Sequence, residues 1–423
     1  MLFDRLPDRK YVVGIDLQEQ FCQISYLNAR RLRADREPVT FSQVTGRAVF
    51  NIPLALCREP DGAGWSFGQD ALDRASLGGV LLTDLLSLAR REEPVSVGRE
   101  EFLPEALLAL YLRRCMAMLE MEAPAEETQC IMITAPVMDR ETVRILERVM
   151  ERLQPEVQEV LFESQARSFY NYMLMQNEDL RRRGAMVCDL DADGRLRLMR
   201  LRFNRETRPV VCLPETVELT LESKETAGQD EELSDILRAG LEAEPCGCLF
   251  LIGEGFAGGR MKRAEETAIT GRRAFQGDNL YSKGAAYGAL FAVHPPEIVG
   301  KHFFMEEDML RSNIGIRAER SGRPMYHALL DAGCRWYEVD REEDLLLEDN
   351  QSLTLRMTPL TGESMQELEI ALKNMPARDP LTTRVRIHLT MRAADRLFLQ
   401  IEDLGFGEIF PSSGLRWEQE VTI

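Results

Sequence analysis

No stretch of this chain approaches the ~20 consecutive apolar residues that a membrane-spanning helix needs. The opening residues MLFDRLPDRKYVVGID carry charge throughout, so no signal peptide is expected there. Cysteine is sparse: 9 in 423 residues, scattered singly except for Cys246 and Cys248. An odd, scattered set speaks against a disulfide framework and for reduced thiols in a cytoplasm. Cys246-Gly-Cys248 lacks a second pair to complete a metal site and reads better as two small residues entering a buried strand. The 4 histidines have no Ser, Cys or carboxylate at a telling spacing, and no nucleophile-elbow, zincin or Walker pattern occurs. Internal repeats and low-complexity tracts are absent as well. Basic residues are in deficit, 52 Lys+Arg against 70 Asp+Glu, a net charge of −18. Nucleic acid and anionic membrane both attract basic patches, so neither is expected as a partner.

What is present is the composition of an ordinary globular protein, 44% hydrophobic and 29% charged. The length suggests two or three domains. Before about residue 295, strand and helix patterns alternate. Tyr11–Leu17 is a buried-strand run and Phe21–Leu27 its hairpin return. Residues 101–122 are apolar at helical spacing, with Pro104 near the start. Cys130–Thr134 is a short strand, and Asp139 is placed to cap a helix with Val143, Leu146, Val149, Met150 and Leu153 on one face. Val157–Phe162 reads as a strand and Glu163 as the start of the next helix. Ala185–Leu190 and Arg195–Arg202 flank the tight turn Asp191-Ala-Asp-Gly194, Leu249–Ile252 is another buried strand, and Ser282–Leu290 is a small-residue helix. After Lys301 the pattern changes to mostly short strands. Leu353/Leu355/Met357, Val385/Ile387/Leu389/Met391 and Leu397/Leu399/Ile401 alternate with polar residues, which predicts strands with one buried face and a small β-sandwich.

In this order the pieces resemble the actin and heat-shock-70 ATPase superfamily. Gly14-Ile-Asp16-Leu with its hairpin is similar to the first phosphate loop, and Ile131-Met-Ile-Thr-Ala-Pro136 to the first connecting segment. Glu163-Ser-Gln-Ala166 is similar to the Glu-Pro-Thr-Ala element of the chaperones, and Val187-Cys-Asp189-Leu190 to the second phosphate loop. Ile252-Gly253-Glu-Gly255 resembles the adenosine loop and Gly284-Ala-Ala286 the second connecting helix. Residues 313–423 resemble the β-sandwich substrate domain of DnaK-type chaperones, through Asn313–Ile316, Asp349-Asn-Gln351, Lys373-Asn-Met-Pro376 and a hairpin of long strands, without the helical lid.

The resemblance implies an α/β fold: a duplicated ribonuclease-H-like ATPase domain over 1–295, a linker over 296–312, and an all-β sandwich over 313–423. Val293–Asn313 is the candidate hinge, with Pro295-Pro296 stiffening its start. It implies ATP or ADP with Mg²⁺ as the cofactor, with Gly14, Asp16, Gln18, Asp189, Asp191, Gly194, Gly253, Gly255 and Gly284 around it. Asp16, Glu163 and Asp189 are then the catalytic candidates, and Asp16, Asp189, Asp191 and Asp193 the metal candidates.

The loops themselves depart from the pattern. Active members build both phosphate loops from Gly, which lets backbone N–H groups reach a phosphate, and Thr, which adds donors. Here the first loop has Gln18, Glu19 and Gln20 at those places, and the second reads Asp189-Leu-Asp191-Ala-Asp193-Gly194. An unpaired carboxylate ~4 Å from a phosphate costs roughly 1 kcal/mol in water and about 4 near a protein surface. Glu19, Asp191 and Asp193 together then cancel the ~8 kcal/mol of a micromolar site. A degenerate, non-hydrolysing site follows, in a lidless heat-shock-70-like chaperone relative that binds a protein or peptide through its sandwich. The alternative is a divergent Mg-ATP-dependent chaperone ATPase with residual hydrolysis.

Asp189-x-Asp191-x-Asp193-Gly194 also matches the start of an EF-hand loop, but its twelfth position is Arg200, not Glu. The favoured reading is a hairpin with Asp193-Gly194 in a type I′ turn. Asp403-Leu-Gly-Phe-Gly-Glu-Ile-Phe-Pro411 is a structural turn in which Phe406 and Phe410 close the sandwich, or an apolar surface offered to a partner.

Overall fold

A computed structural model of the chain describes residues 9–31, 37–60, 62, 64–277, 279–320, 322–348, 352–360 and 364–423. Asp349-Asn-Gln351 lies outside the described residues. The protein is mixed α/β with several sheets. It divides into two compact units, Met1–Leu201 with Glu215–Gly300, and Arg202–Pro214 with Lys301–Ile423. Principal elements are numbered along the chain.

In the first unit, β1 (Tyr11–Leu17) turns through Gln18–Gln20 into antiparallel β2 (Phe21–Asn28). Helix α1 (Pro104–Met118) starts with proline at its first turn, where a missing N–H costs nothing. Strand β3 (Thr128–Ala135) lies parallel to β1. Asp139 caps α2 (Arg140–Leu153), accepting from Thr142 N at 2.8 Å. Strand β4 (Glu159–Ser164) lies parallel to β3, and Ser164 caps α3 (Gln165–Leu174). Glu163 therefore lies within the strand and does not open the helix as expected: the serine hydroxyl after it makes the cap.

The pattern then recurs. Strands β5 (Ala185–Leu190) and β6 (Arg195–Asn204) form an antiparallel hairpin, followed by β7 (Val210–Thr220) and helix α4 (Thr226–Ala243). Strand β8 (Cys248–Ile252) lies parallel to β5. Helix α5 (Lys262–Ile269) leads to β9 (Arg273–Gln276), parallel to β8. Both sheets have six strands; the first includes the run β4-β3-β1-β2 and the second the run β9-β8-β5-β6, with β7 and His302–Phe304 beyond it. Each run is a hairpin joined by two later parallel strands, a topological repeat without a sequence repeat. Alternation along β1 and β3 sends Val13, Ile15, Ile131 and Ile133 into a core with Leu108, Tyr111, Leu146 and Val149 of α1 and α2. The opposite face, Val12 and Met132, packs on α6 (Leu280–Val293) through Ala285, Ala289 and Leu290.

Within the second unit, Val210–Cys212 of β7 pair in parallel with β10 (His302–Phe304), and Val211, Leu213 and Met305 cluster under Phe303 and Leu360. Residues 301–312 of the expected linker and hinge are thereby packed: Phe304, Met305 and Leu310 are buried. Two four-stranded antiparallel sheets follow. One contains β11 (Ser312–Arg320), β12 (Arg323–Leu330), β14 (Ser352–Pro359) and β15 (Gln366–Ala371), ordered β12-β11-β14-β15. The other contains β13 (Asp340–Leu347), β16 (Thr383–Ala393), β17 (Arg396–Asp403) and β18 (Arg416–Thr422), ordered β13-β16-β17-β18. They share one core, with Ile314, Leu355 and Met357 from the first and Val385, Ile387, Leu389, Leu397 and Leu399 from the second. Neither Phe406 nor Phe410 is in that core, so these rings do not close the sandwich.

Candidate functional site

Asp16 lies one residue from the end of β1, and in register beside it stand Gln23 on β2 and Thr134 on β3. Side chains of directly paired residues share a face, so these three form a row. Asp189 sits near the end of β5, directly opposite Arg197 on β6. That register explains the ion pair between them, with Arg197 Nη2 at 2.9 Å from Asp189 Oδ2. The same nitrogen donates to Gln165 Oε1 and, at 3.2 Å, to the Tyr281 hydroxyl of α6. Gln165 Nε2 in turn donates to Asp16 Oδ1 at 2.8 Å, while Gln18 Nε2 donates to Asp16 Oδ2 at 2.9 Å. The two hairpins are thus linked through Asp16, Gln165, Arg197 and Asp189.

Asp16 is only 2% exposed. Burial lifts its carboxyl from 3.8 to about 6, against the hydrogen bonds from Gln165 and Gln18 and the charge of Arg197; the Asp189 charge adds to the rise. Burial works against the Arg197 charge, but Tyr281, Asp189 and Asp16 outweigh it and hold the guanidinium protonated. Its position supplies, between two carboxylates, the positive charge a divalent cation would otherwise bring.

The other acids lie apart. Glu163 accepts from Ser168 Oγ at 2.6 Å and Asn171 Nδ2 at 2.8 Å and packs against Gly288 of α6. Asp191 Oδ1 accepts from the N–H groups of Asp193 and Arg195, and its Oδ2 from Arg195 Nε. Asp193 is exposed beside Arg195. Only Gly194 of the turn has positive φ, +85°, and its N–H bonds Asp191 O. The loop is therefore a type I turn followed by one left-handed residue, not the expected type I′. Asp191 and Asp193 form the turn and do not join Asp16 and Asp189; no group of three or more acidic, His or Cys ligands converges among the described residues.

The glycines serve chain-to-chain contact. A Cβ on Gly14 would lie 2.1 Å from Ala286 N, and one on Gly284 2.0 Å from Ser168 O. At Gly253 it would meet Leu190 O at 2.3 Å, and at Gly255 the Leu190 side chain. At Gly194 it would meet Gln229 Nε2 at 2.9 Å. Backbone donors are also spent: Gln18 N bonds Phe21 O at 2.9 Å, and Asp193 N and Gly194 N bond within their turn. Glu19 is held by Ser87 Oγ at 2.9 Å.

These residues do not fit Mg-nucleotide. The carboxylate oxygens of Asp16 are taken by amides, the Asp189 pair is closed by Arg197, and the N–H groups of Gln18, Asp193 and Gly194 bond within their own hairpins. Two buried polar atoms flanking Asp16, Gln23 Oε1 and Thr134 Oγ1, have no hydrogen-bond partner. Two such atoms suit a small polar molecule such as water and cannot cradle a polyanion. A separate cavity of about 630 Å³ between α4 and α5 is lined in part by two ion pairs, Arg238 with Asp235 and Arg263 with Glu231, each at 2.9 Å. Arg197, Gln165 and Tyr281 were not anticipated. The register of the β5–β6 hairpin would have found the first, because Asp189 and Arg197 are equidistant from the turn.

Residues 37–307 match the family described as family of unknown function (DUF5716) C-terminal, and residues 309–423 match domain of unknown function (DUF8552). No curated protein matches the chain.

Proposed function

The chain belongs to the DUF5716 family, and from that premise we propose that it is a heat-shock-70-like pseudo-ATPase, a scaffold that binds a protein or peptide partner without hydrolysing nucleotide. The observation that carries this reading is Arg197, fixed between Asp189 and Gln165–Asp16 in place of an exchangeable cation. The duplicated fold is supported by the repeated order of the two sheets, β4-β3-β1-β2 and β9-β8-β5-β6. A sandwich follows, and its outer strands lie at sheet edges, a placement suited to an extended partner segment. All nine cysteines are free thiols, which supports a cytoplasmic setting.

The second reading, a divergent Mg-ATP-dependent ATPase, is favoured by the retention of Asp16 and Asp189 near the ends of their hairpin strands. Calorimetric titration of the full chain with ATP and ADP, with and without Mg²⁺, to millimolar nucleotide separates the two. No heat is expected. Micromolar, Mg²⁺-dependent binding refutes the pseudo-ATPase and moves the question to turnover by Asp16→Ala and Asp189→Ala.

A further inference from the structure

Residues 404–415 join β17 to β18, far more than the two to five residues a hairpin needs, and such long connections are commonly functional. The loop is built rigidly. Asp403, whose side chain is fully buried, accepts five hydrogen bonds, from Arg378 Nη1 and Nη2, Gly405 N, Ser413 N and Ser413 Oγ, at 2.7–3.0 Å. Arg378 also donates to Pro411 O at 2.9 Å, so it clips the preceding connection to this one. The backbone crosses itself at Gly405, φ +65°, where a Cβ would lie 2.4 Å from Phe410 O. Phe406 N bonds Phe410 O at 2.6 Å, and the two residues form a one-pair bridge.

This bracing holds apolar groups in water. Phe406 is 47% exposed and Ile409 84%, and Leu381 on the clipped connection is 56% exposed. Glu408 is the one ionisable residue of the loop and lies between Phe406 and Ile409. A desolvated ion pair that keeps a Phe and an Ile outside the core makes sense where the tip is covered by something else.

We propose that the end of the sandwich carrying this loop is a docking surface for another protein, with Phe406 and Ile409 entering apolar pockets on either side of a basic group that meets Glu408. The inference deepens the partner-binding reading above and rests on it. A second copy would bring the same carboxylate and another −18 of charge. An anionic bilayer would repel Glu408.

The test is site-specific photocrosslinking of the full chain in the cells that make it, with Ile409→p-benzoylphenylalanine and, as a second position, Tyr326→p-benzoylphenylalanine on β12. Adducts are mapped by mass spectrometry. The protein found is then purified and titrated against wild type, Phe406→Ser, Ile409→Ser and Glu408→Lys. The expected result is an adduct from position 409 on a segment with Lys or Arg between apolar residues. Each variant is then expected to bind at least tenfold more weakly with unchanged urea unfolding. Adducts only between two copies or with lipid, or variants that bind at full strength, overturn the proposal. An adduct from 326 but not 409 overturns this surface and leaves the partner reading standing; none from either position overturns both.

Discussion

Replacing Asp16 by Asn is expected to stabilise the first unit at neutral pH. The carboxyl is buried, and its folded value of about 6 lies above the ordinary 3.8. In that interval the folded state holds a proton the unfolded state has released. The group's favourable contribution is complete below about pH 4, falls as pH rises through 6, and is gone above about 7. At 1.36 kcal/mol per unit, the loss is about 3 kcal/mol. The introduced carboxamide would keep its oxygen on Gln165 Nε2 and turn its NH₂ toward Gln18, which is only partly buried and free to present its own oxygen. Urea unfolding of the full chain, read by hydrogen exchange at Val12–Ile15, isolates this unit from the other. Wild type is expected to lose up to about 3 kcal/mol between pH 4 and 7, whereas Asp16→Asn stays flat and exceeds it at pH 7.5. A wild type flat across that window, or a variant less stable at pH 7.5, would show that the amides and Arg197 outweigh burial and refute the reasoning.

Gly14→Ala and Gly284→Ala each drive a methyl into backbone at 2.0–2.1 Å, so each is expected to cost at least ~3 kcal/mol in thermal unfolding, whether or not nucleotide is present. A loss of ligand binding at unchanged stability would restore a cofactor role for these glycines. In the second unit, Arg378→Met leaves the Asp403 charge buried without its counter-ion and is expected to cost about 3–5 kcal/mol in urea unfolding. The double variant with Asp403→Asn is expected to cost less than the two singles together, because the pair is directly bonded. Additive losses would mean that the two groups act independently.

Local pattern made much of this fold legible. The β1–β2 hairpin, the Asp139 cap, Pro104 at the start of α1 and the two-residue alternation of the sandwich all follow from neighbours in sequence. The site was legible only in part, because its chemistry is decided by pairings across distance. Local sequence makes Gly14 a ligand-facing glycine, whereas α6, more than 260 residues on, lies against it. Arg197 lies eight residues beyond Asp189 and becomes its partner only through the register of the hairpin. The turn at Gly194 differs from expectation because Asp193 there adopts an ordinary φ, and one left-handed residue suffices. Residue type alone places Phe406 and Phe410 in the core, and it carries no information about the clip made by Arg378.

The second unit is discontinuous in sequence, since Arg202–Pro214 belongs to it although the rest begins at Lys301. Its Val211 and Leu213 cover Phe303, Met305 and Leu360. A gene segment starting at codon 301 would therefore encode that body with its lid missing and those side chains bared. Any transfer of the whole body between proteins must carry this upstream segment along with it.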